Sequence, residues 1–190
     1  MPHATVFDLE FTAWEGSLSR DWMAPGEFRE LVQIGAVKVD AESFAVLDTL
    51  DVLARPRINP VLSDYFSTLT GITNDALAAR GMDFVEAYRR FVDFADGGLI
   101  CAFGRDDFIF VENFRLYAIA DAPAIPPYAN AIPLLLENGI NPRGFHACDV
   151  ARLCGAEFTG REHDALDDAR SVALGLKSLV AKGARNILLP

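Results

Sequence analysis

The chain of 190 residues predicts one mixed α/β domain, residues 1–190, and three observations carry that reading. Its length suits a single domain with a full hydrophobic core and is short for two. Three β-rich runs stand close together near the N-terminus. Beyond residue 83, apolar residues recur at spacings of three and four, interleaved with further short apolar runs. Strands first, then helices alternating with strands, build a mixed sheet covered by helices.

Residues 4–10, Ala-Thr-Val-Phe-Asp-Leu-Glu, predict a short buried strand running into a Trp, Gly, Ser and Pro loop from Trp14 to Pro25. Leu31 to Val39 and Ala45 to Leu53 read as two more strands, near enough to form a hairpin beside the first, so the opening is antiparallel. Arg55 to Asn74 carries Pro56, Pro60 and Gly71 and is expected to be irregular. From Asp83 to Ala95, Phe84, Ala87, Tyr88, Phe91, Val92 and Ala95 share one helical face, and Gly97 and Gly98 end the helix. Leu99 to Phe103 is a buried strand and Asp107 to Ala120 a helix, stopped at Ala122 to Pro127 by three prolines. Ala129 to Gly155 reads only as a short strand with one or two short helices. His163 to Lys182 is a strong helix with Ala165, Ala169, Val172, Ala173 and Leu176 on one stripe. No repeat, low-complexity tract or linker interrupts the chain.

Composition narrows the function. Seventeen basic against 27 acidic residues give a net charge of −10, which excludes a protein that coats nucleic acid with a basic surface. An enzyme that meets an anionic substrate through metal ions is not excluded. Cys101, Cys148 and Cys154 are an odd set at unrelated spacings without a secretory signal, so a reduced, cytoplasmic setting is expected. No apolar run approaches the roughly 20 residues needed to span a bilayer, so no membrane role is expected.

Three groups of acids could carry chemistry. Asp8 and Glu10 are two apart in a strand and share a face. Burying both is costly unless something cancels their charge, and a lone Asp-x-Glu is ordinarily a solvated strand end. Asp164, Asp167 and Asp168 fall in the first turns of the last helix beside His163, where acids also suit the helix dipole. Small Ala165 and Ala169 let that helix approach the sheet. In Gly104-Arg-Asp-Asp107, either aspartate could simply cap the helix that follows. Together, four carboxylates at element ends and one histidine suit two divalent cations, which clamp the oxygens of an in-line phosphoryl displacement.

In this order the motifs resemble those of DEDDh-type 3′-to-5′ exonucleases, the superfamily with a ribonuclease H-like fold that includes the proofreading exonucleases. The resemblance runs from Phe7 to Leu179 through Phe7-Asp-Leu-Glu-Phe-Thr12, Glu30-Leu-Val-Gln-Ile-Gly-Ala-Val37, Gly104-Arg-Asp-Asp107 and His163-Asp-Ala-Leu-Asp-Asp168-Ala169. Asp8 to Trp14, Arg55-Pro56, Pro60-x-Leu-Ser63 and Leu69-Thr-Gly-Ile-Thr73 are similar to the compact sub-branch related to the histone-messenger 3′-end nuclease and the RNA-interference regulator. Phe11, where a smaller residue is common, and the pair Arg105-Asp106 depart mildly from the pattern.

The resemblance implies a sheet whose antiparallel opening is extended by parallel strands. It implies metal-dependent release of nucleoside 5′-monophosphates from the 3′ ends of single-stranded RNA or DNA. Asp8, Glu10, Asp107 and Asp168 would hold two Mg2+ ions, with Mn2+ able to substitute, and His163 would act as general base. The His-x4-Asp count favours Asp168 over Asp167 as ligand. Phe11, Thr12 and Trp14 would meet the terminal sugar and base, where aromatic faces stack on any base. Many relatives pair, which leaves a homodimer open. The rival reading is a non-catalytic module of the same fold that binds nucleic acid or a protein. Cys148 and Cys154, with His146 two positions before the first, match no usual zinc spacing, and the cysteines are expected to pack in the core. Arg55, Arg57, Arg105 and Arg161 lie in loops beside motifs, where a guanidinium could hold phosphate or pair with the abundant acids.

Overall fold

The first strand sets the architecture. Residues 2–121 and 123–189 are described by the computed structural model. In β1 (His3–Phe11) every residue from Ala4 to Glu10 is buried, as befits a central strand covered on both faces. It pairs antiparallel with β2 (Leu31–Asp40), which pairs antiparallel with β3 (Val46–Leu53), the expected hairpin opening. On its other side β1 pairs parallel with β4 (Leu99–Ala102), and β4 with β5 (Tyr128–Asn130). The five-stranded order is β3-β2-β1-β4-β5.

Alternation along β1 divides the core in two. Ala4 and Val6 face a layer containing Val172 and Leu176 of α7 (Ala165–Ala181) and Leu134 and Leu135 of α5 (Ala131–Glu137). Phe7 and Leu9 face the opposite layer, formed by α3 (Phe84–Ala95) and α4 (Asp107–Leu116). There Phe7 meets Phe91 with ring centroids 4.9 Å apart, and Tyr88 meets Phe110 at 4.9 Å. Asp8 and Glu10 have the parity of Ala4 and Val6, so both carboxylates emerge on the α7 side.

Several boundaries move. The stretch expected to be irregular contains α1 (Asp64–Thr70), and α2 (Asn74–Arg80) follows it. Ser63 and Thr73 supply their N-caps, accepting from the amides of Phe66 and Ala76, and Gly71 ends α1 at φ 72°. Helix α3 begins after its N-cap Asp83 and ends at Asp96, one residue before the glycines. Helix α4 stops at Leu116 rather than Ala120 because Tyr117 is tied by its hydroxyl to Glu30 and Ala118 turns left-handed at φ 52°. The expected proline stop begins on Ala122, which lies outside the described residues. The ambiguous region resolves into β5, α5 and the four-residue α6 (Val150–Leu153). Helix α7 starts two residues after His163, which itself has φ 57°. No helix among the described residues is long and apolar enough to cross a membrane.

Candidate active site

The carboxyl ends of the parallel strands β1 and β4 lie side by side, the place where α/β sheets commonly open a crevice. A cavity of about 510 Å3 opens there, lined by Asp8, Glu10, Asp106, His163 and Asp168. Its apolar wall includes Phe11, Trp14, Trp22, Tyr65, Phe66 and Phe145, and among the described residues no lysine or arginine lines it. A bulge between Glu10 and Phe11 marks the strand end, where such irregularities re-aim side chains.

Close packing of α7 brings the last acid in. Ala165 and Ala169 are fully buried, as their small size predicted, but the other half of the contact is Gly35, paired with Asp8 across the sheet. A Cβ on Gly35 would lie 2.0 Å from the Leu166 amide nitrogen and 2.1 Å from the Ala165 carbonyl carbon, so only glycine admits the helix here. Gln33 fastens the junction, accepting from the Ala165 amide at 3.1 Å and donating to Asp51 at 2.9 Å. Asp164 caps α7 by accepting from the Leu166 and Asp167 amides, both at 3.1 Å.

Within the cavity the acids crowd one another. Asp8 is 9% exposed, Glu10 8% and Asp168 3%. Burial, then the charges of Asp106, Asp168 and Glu10, holds the Asp8 carboxyl well above its usual range. Burial together with Asp168, Asp106 and Asp164 pushes Glu10 up to about 8. Burial and Asp107 lift Asp106 to about 7, and burial followed by Asp164 lifts Asp168 to about 7. One oxygen of Asp168, Oδ1, is buried with no hydrogen-bond partner among the described residues. An orphaned carboxylate oxygen among like charges suits a hard cation, and an all-oxygen donor set fits a small divalent ion.

His163 completes the group at the rim, 24% exposed. Its Nδ1 is 4.0 Å from Glu10 Oε1 and its Nε2 is 3.7 Å from Glu162 Oε1. One donor atom each from Glu10, His163 and Asp168 lie within 4.8 Å of one another. Burial draws the imidazole below its ordinary value; Glu162 opposes that and His146 adds to it.

Not every residue singled out in the sequence faces the cavity. Asp107 turns away, its two oxygens each receiving a nitrogen of Arg105 at 2.9 Å, while Asp106 makes no capping bond and lines the cavity. The two are adjacent and both precede a helix, so spacing alone could not separate them. Asp167 is also engaged elsewhere, accepting from the Arg161 amide at 2.9 Å and from Arg170 at 2.8 Å. Phe11 and Trp14 line the cavity, whereas Thr12 forms a latch: its hydroxyl donates to the Phe28 carbonyl and accepts from the Glu30 amide.

Other lining residues were not assigned to the cavity by the sequence, Trp22 and His146 among them. Trp22 donates its indole N–H to the Thr12 carbonyl at 2.8 Å and tilts against Phe11 at 5.4 Å, in a left-handed backbone conformation at φ 53°. Nothing in a loop of mixed composition distinguishes it from an ordinary surface tryptophan. His146 places its ring edge against His163 with centroids 5.4 Å apart. Its distance from His163 along the chain hides that contact. Cys101 and Cys154 are buried as expected, whereas Cys148 is only half-buried and, contrary to expectation, does not join the core.

Comparison with known proteins agrees with this geometry. Human 3′-5′ exoribonuclease 1 is 32% identical over 89 residues, which is 46% of this chain and 23% of that protein. Zebrafish (Danio rerio) ERI1 exoribonuclease 2 is 26% identical over an alignment covering 95% of this chain and 35% of that protein. The chain thus spans about a quarter to a third of the length of these curated relatives. Among solved structures, the nuclease domain of 3′hExo, a DEDDh family member bound to rAMP, superposes with TM-score 0.81 at 20% identity, covering 99% of this chain and 96% of that one. Cell-death related nuclease 4 gives TM-score 0.76 at 18% identity, covering 97% and 65%. These neighbours share the ribonuclease H-like mixed sheet flanked by helices. The family model RNase_T, described as exonuclease, matches residues 5–174, so the chain belongs to that exonuclease family, whose DEDDh members use divalent metal ions.

Proposed function

We propose that this protein is a 3′-to-5′ exonuclease that hydrolyses the terminal phosphodiester of single-stranded RNA or DNA and releases a nucleoside 5′-monophosphate. The observation that carries the proposal is the convergence of Asp8, Glu10, Asp106 and Asp168 in one cavity, with an unpartnered Asp168 oxygen and His163 at the rim. Asp8, Glu10 and Asp168 are the main metal-holding residues, and Asp106 takes the place that the motif gave to Asp107. When bound, two Mg2+ ions, or Mn2+ in their stead, would stabilise the charge developing on the attacking and leaving oxygens.

The residues divide the remaining work. His163, whose affinity for a proton burial lowers, accepts a proton from the attacking water, whose oxygen forms the new bond to phosphorus. The bond from phosphorus to the 3′ oxygen of the penultimate nucleotide breaks, and that oxygen takes a proton from solvent. Phe11, Trp14 and Trp22 offer aromatic surface to the terminal base without reading its identity. A walled cavity of about 510 Å3 has room for one nucleotide, which favours a strand end over an interior bond. The relatives named for exoribonuclease activity, and a neighbour described with rAMP, support RNA ends as the first substrate to test.

Matched RNA and DNA oligonucleotides labelled at either end, incubated with Mg2+ and then with chelator, test the proposal. Stepwise shortening from the 3′ end that stops on chelation is expected; no metal-dependent shortening of either strand would refute it.

A further inference from the structure

Among the described residues, eight of the 14 arginines are ion-paired, including two that the sequence placed beside motifs: Arg57 with Asp83 at 2.7 Å and Arg105 with Asp107 at 2.9 Å. Arg161 is different. It stands two residues before His163, is exposed, and its side chain makes no hydrogen bond or ion pair among the described residues. The acids nearest to it in sequence are engaged elsewhere. Glu162 faces His163 at 3.7 Å, Asp164 caps α7, and Asp167 receives Arg170 and the Arg161 main-chain amide.

Its position is nonetheless defined. The guanidinium lies against Gly71 at the end of α1, where a Cβ on that glycine would meet three guanidinium atoms at 2.0–2.3 Å. Helix α1 gives Tyr65, Phe66 and Leu69 to the cavity wall, and the segment carrying Arg161 gives His163. A cationic fork is therefore seated beside the cavity without lining it, against the end of one wall helix and two residues before His163. A nucleic-acid end that enters the cavity leaves the rest of its strand outside it, where a neighbouring cation can meet the strand's phosphates.

We propose that Arg161 binds a backbone phosphate of the strand upstream of the scissile bond, holding the strand by its phosphate rather than by a base. The proposal rests on the exonuclease reading and deepens it. A guanidinium fork suits a phosphate's paired oxygens and gives no sequence preference. One such contact also explains how a chain of net charge −10 could grip a polyanion without a basic surface.

Steady-state kinetics of the full chain and its Arg161→Gln variant test this with two substrates. One is a single-stranded oligonucleotide; the other is the p-nitrophenyl ester of a nucleoside 5′-monophosphate, which has no phosphate upstream of the scissile one. For the oligonucleotide, KM is expected to rise about tenfold with kcat nearly constant, and the log–log salt dependence of kcat/KM to become shallower by about 0.7. The small ester should lose less than about twofold, because a purely positioning contact of this kind touches only the upstream chain. Arg161→Lys, which keeps the charge and loses the fork, should fall between the two.

Equal losses on both substrates would mean that Arg161 merely supports the His163 segment, and no loss on either would remove it from binding; each overturns the proposal. If the parent protein shortens no strand at all, the exonuclease reading fails separately. Oligonucleotide affinity by fluorescence anisotropy then still decides Arg161: weaker binding by Arg161→Gln supports it, and equal binding overturns it.

Discussion

At the scale of single residues, adjacent acids take opposite roles. Asp106 is drawn into the cavity and Asp107 is neutralised by Arg105. Asp106→Ala is therefore expected to lower kcat by about 100-fold or more, as loss of a metal-holding group does, and Asp107→Ala by less than about tenfold. Parallel single-turnover assays of the two variants would separate them, and the reverse ranking would restore Asp107. Glu30 shows that a buried acid need not be catalytic. It is fully buried, and its carboxylate accepts from the amides of Arg57, Ile58 and Asn59, the Asn59 side chain and the Tyr117 hydroxyl. Removing it as Glu30→Ala strands several donors and should cost about 3 kcal/mol in urea denaturation, well beyond the loss of one ordinary hydrogen bond.

At the scale of elements, the site is a joint between the β1–β2 ladder and the start of α7. Gly35 makes that joint possible, because backbone rather than a flexible side chain occupies the space beside it. Gly35→Ala is expected to destabilise the fold by about 1–3 kcal/mol. It should also cut turnover by about 100-fold by displacing Asp168 from Glu10, while the far core stays folded. Circular dichroism with a rate measurement at saturating substrate would check both effects; a variant with normal rate would show that the joint tolerates movement. Helices α1 and α2 depend on side-chain caps from Ser63 and Thr73, which matter most in helices of only seven residues each.

At the scale of the whole molecule, the carboxylate cluster couples stability to pH and metal. Glu10 rises from 4.5 to about 8 and Asp168 from 3.8 to about 7, so the folded state disfavours their ionisation. Carboxyls raised in this way cost nothing below their unfolded values and become progressively destabilising up to the folded ones. Metal-free protein should consequently lose stability between about pH 4 and pH 8, opposite in sign to a salt-bridged acid. A divalent cation at about 100 times its Kd adds about 2.7 kcal/mol, or about 5–10 °C in Tm, and its effect should be larger at pH 8 than at pH 5. Melting curves with Mg2+ and with chelator at both pH values measure this. A Tm insensitive to both would mean that the cluster holds no ion.

Much of this was legible along the chain. Alternation in residues 4–10 put Asp8 and Glu10 on one face, and the alanine stripe of the last helix predicted its approach to the sheet, because both are local periodicities. The order of the acidic motifs and the His163–Asp168 spacing fixed the family resemblance. Tertiary structure decided what local pattern cannot carry: which of two neighbouring aspartates turns inward, that Gly35 rather than the alanines alone admits α7, that Trp22 and His146 reach the cavity, and that Thr12 serves as a latch. The reason is physical. Periodicity tells which face a side chain occupies, but pairing, burial and repulsion depend on groups that meet only after the chain has folded.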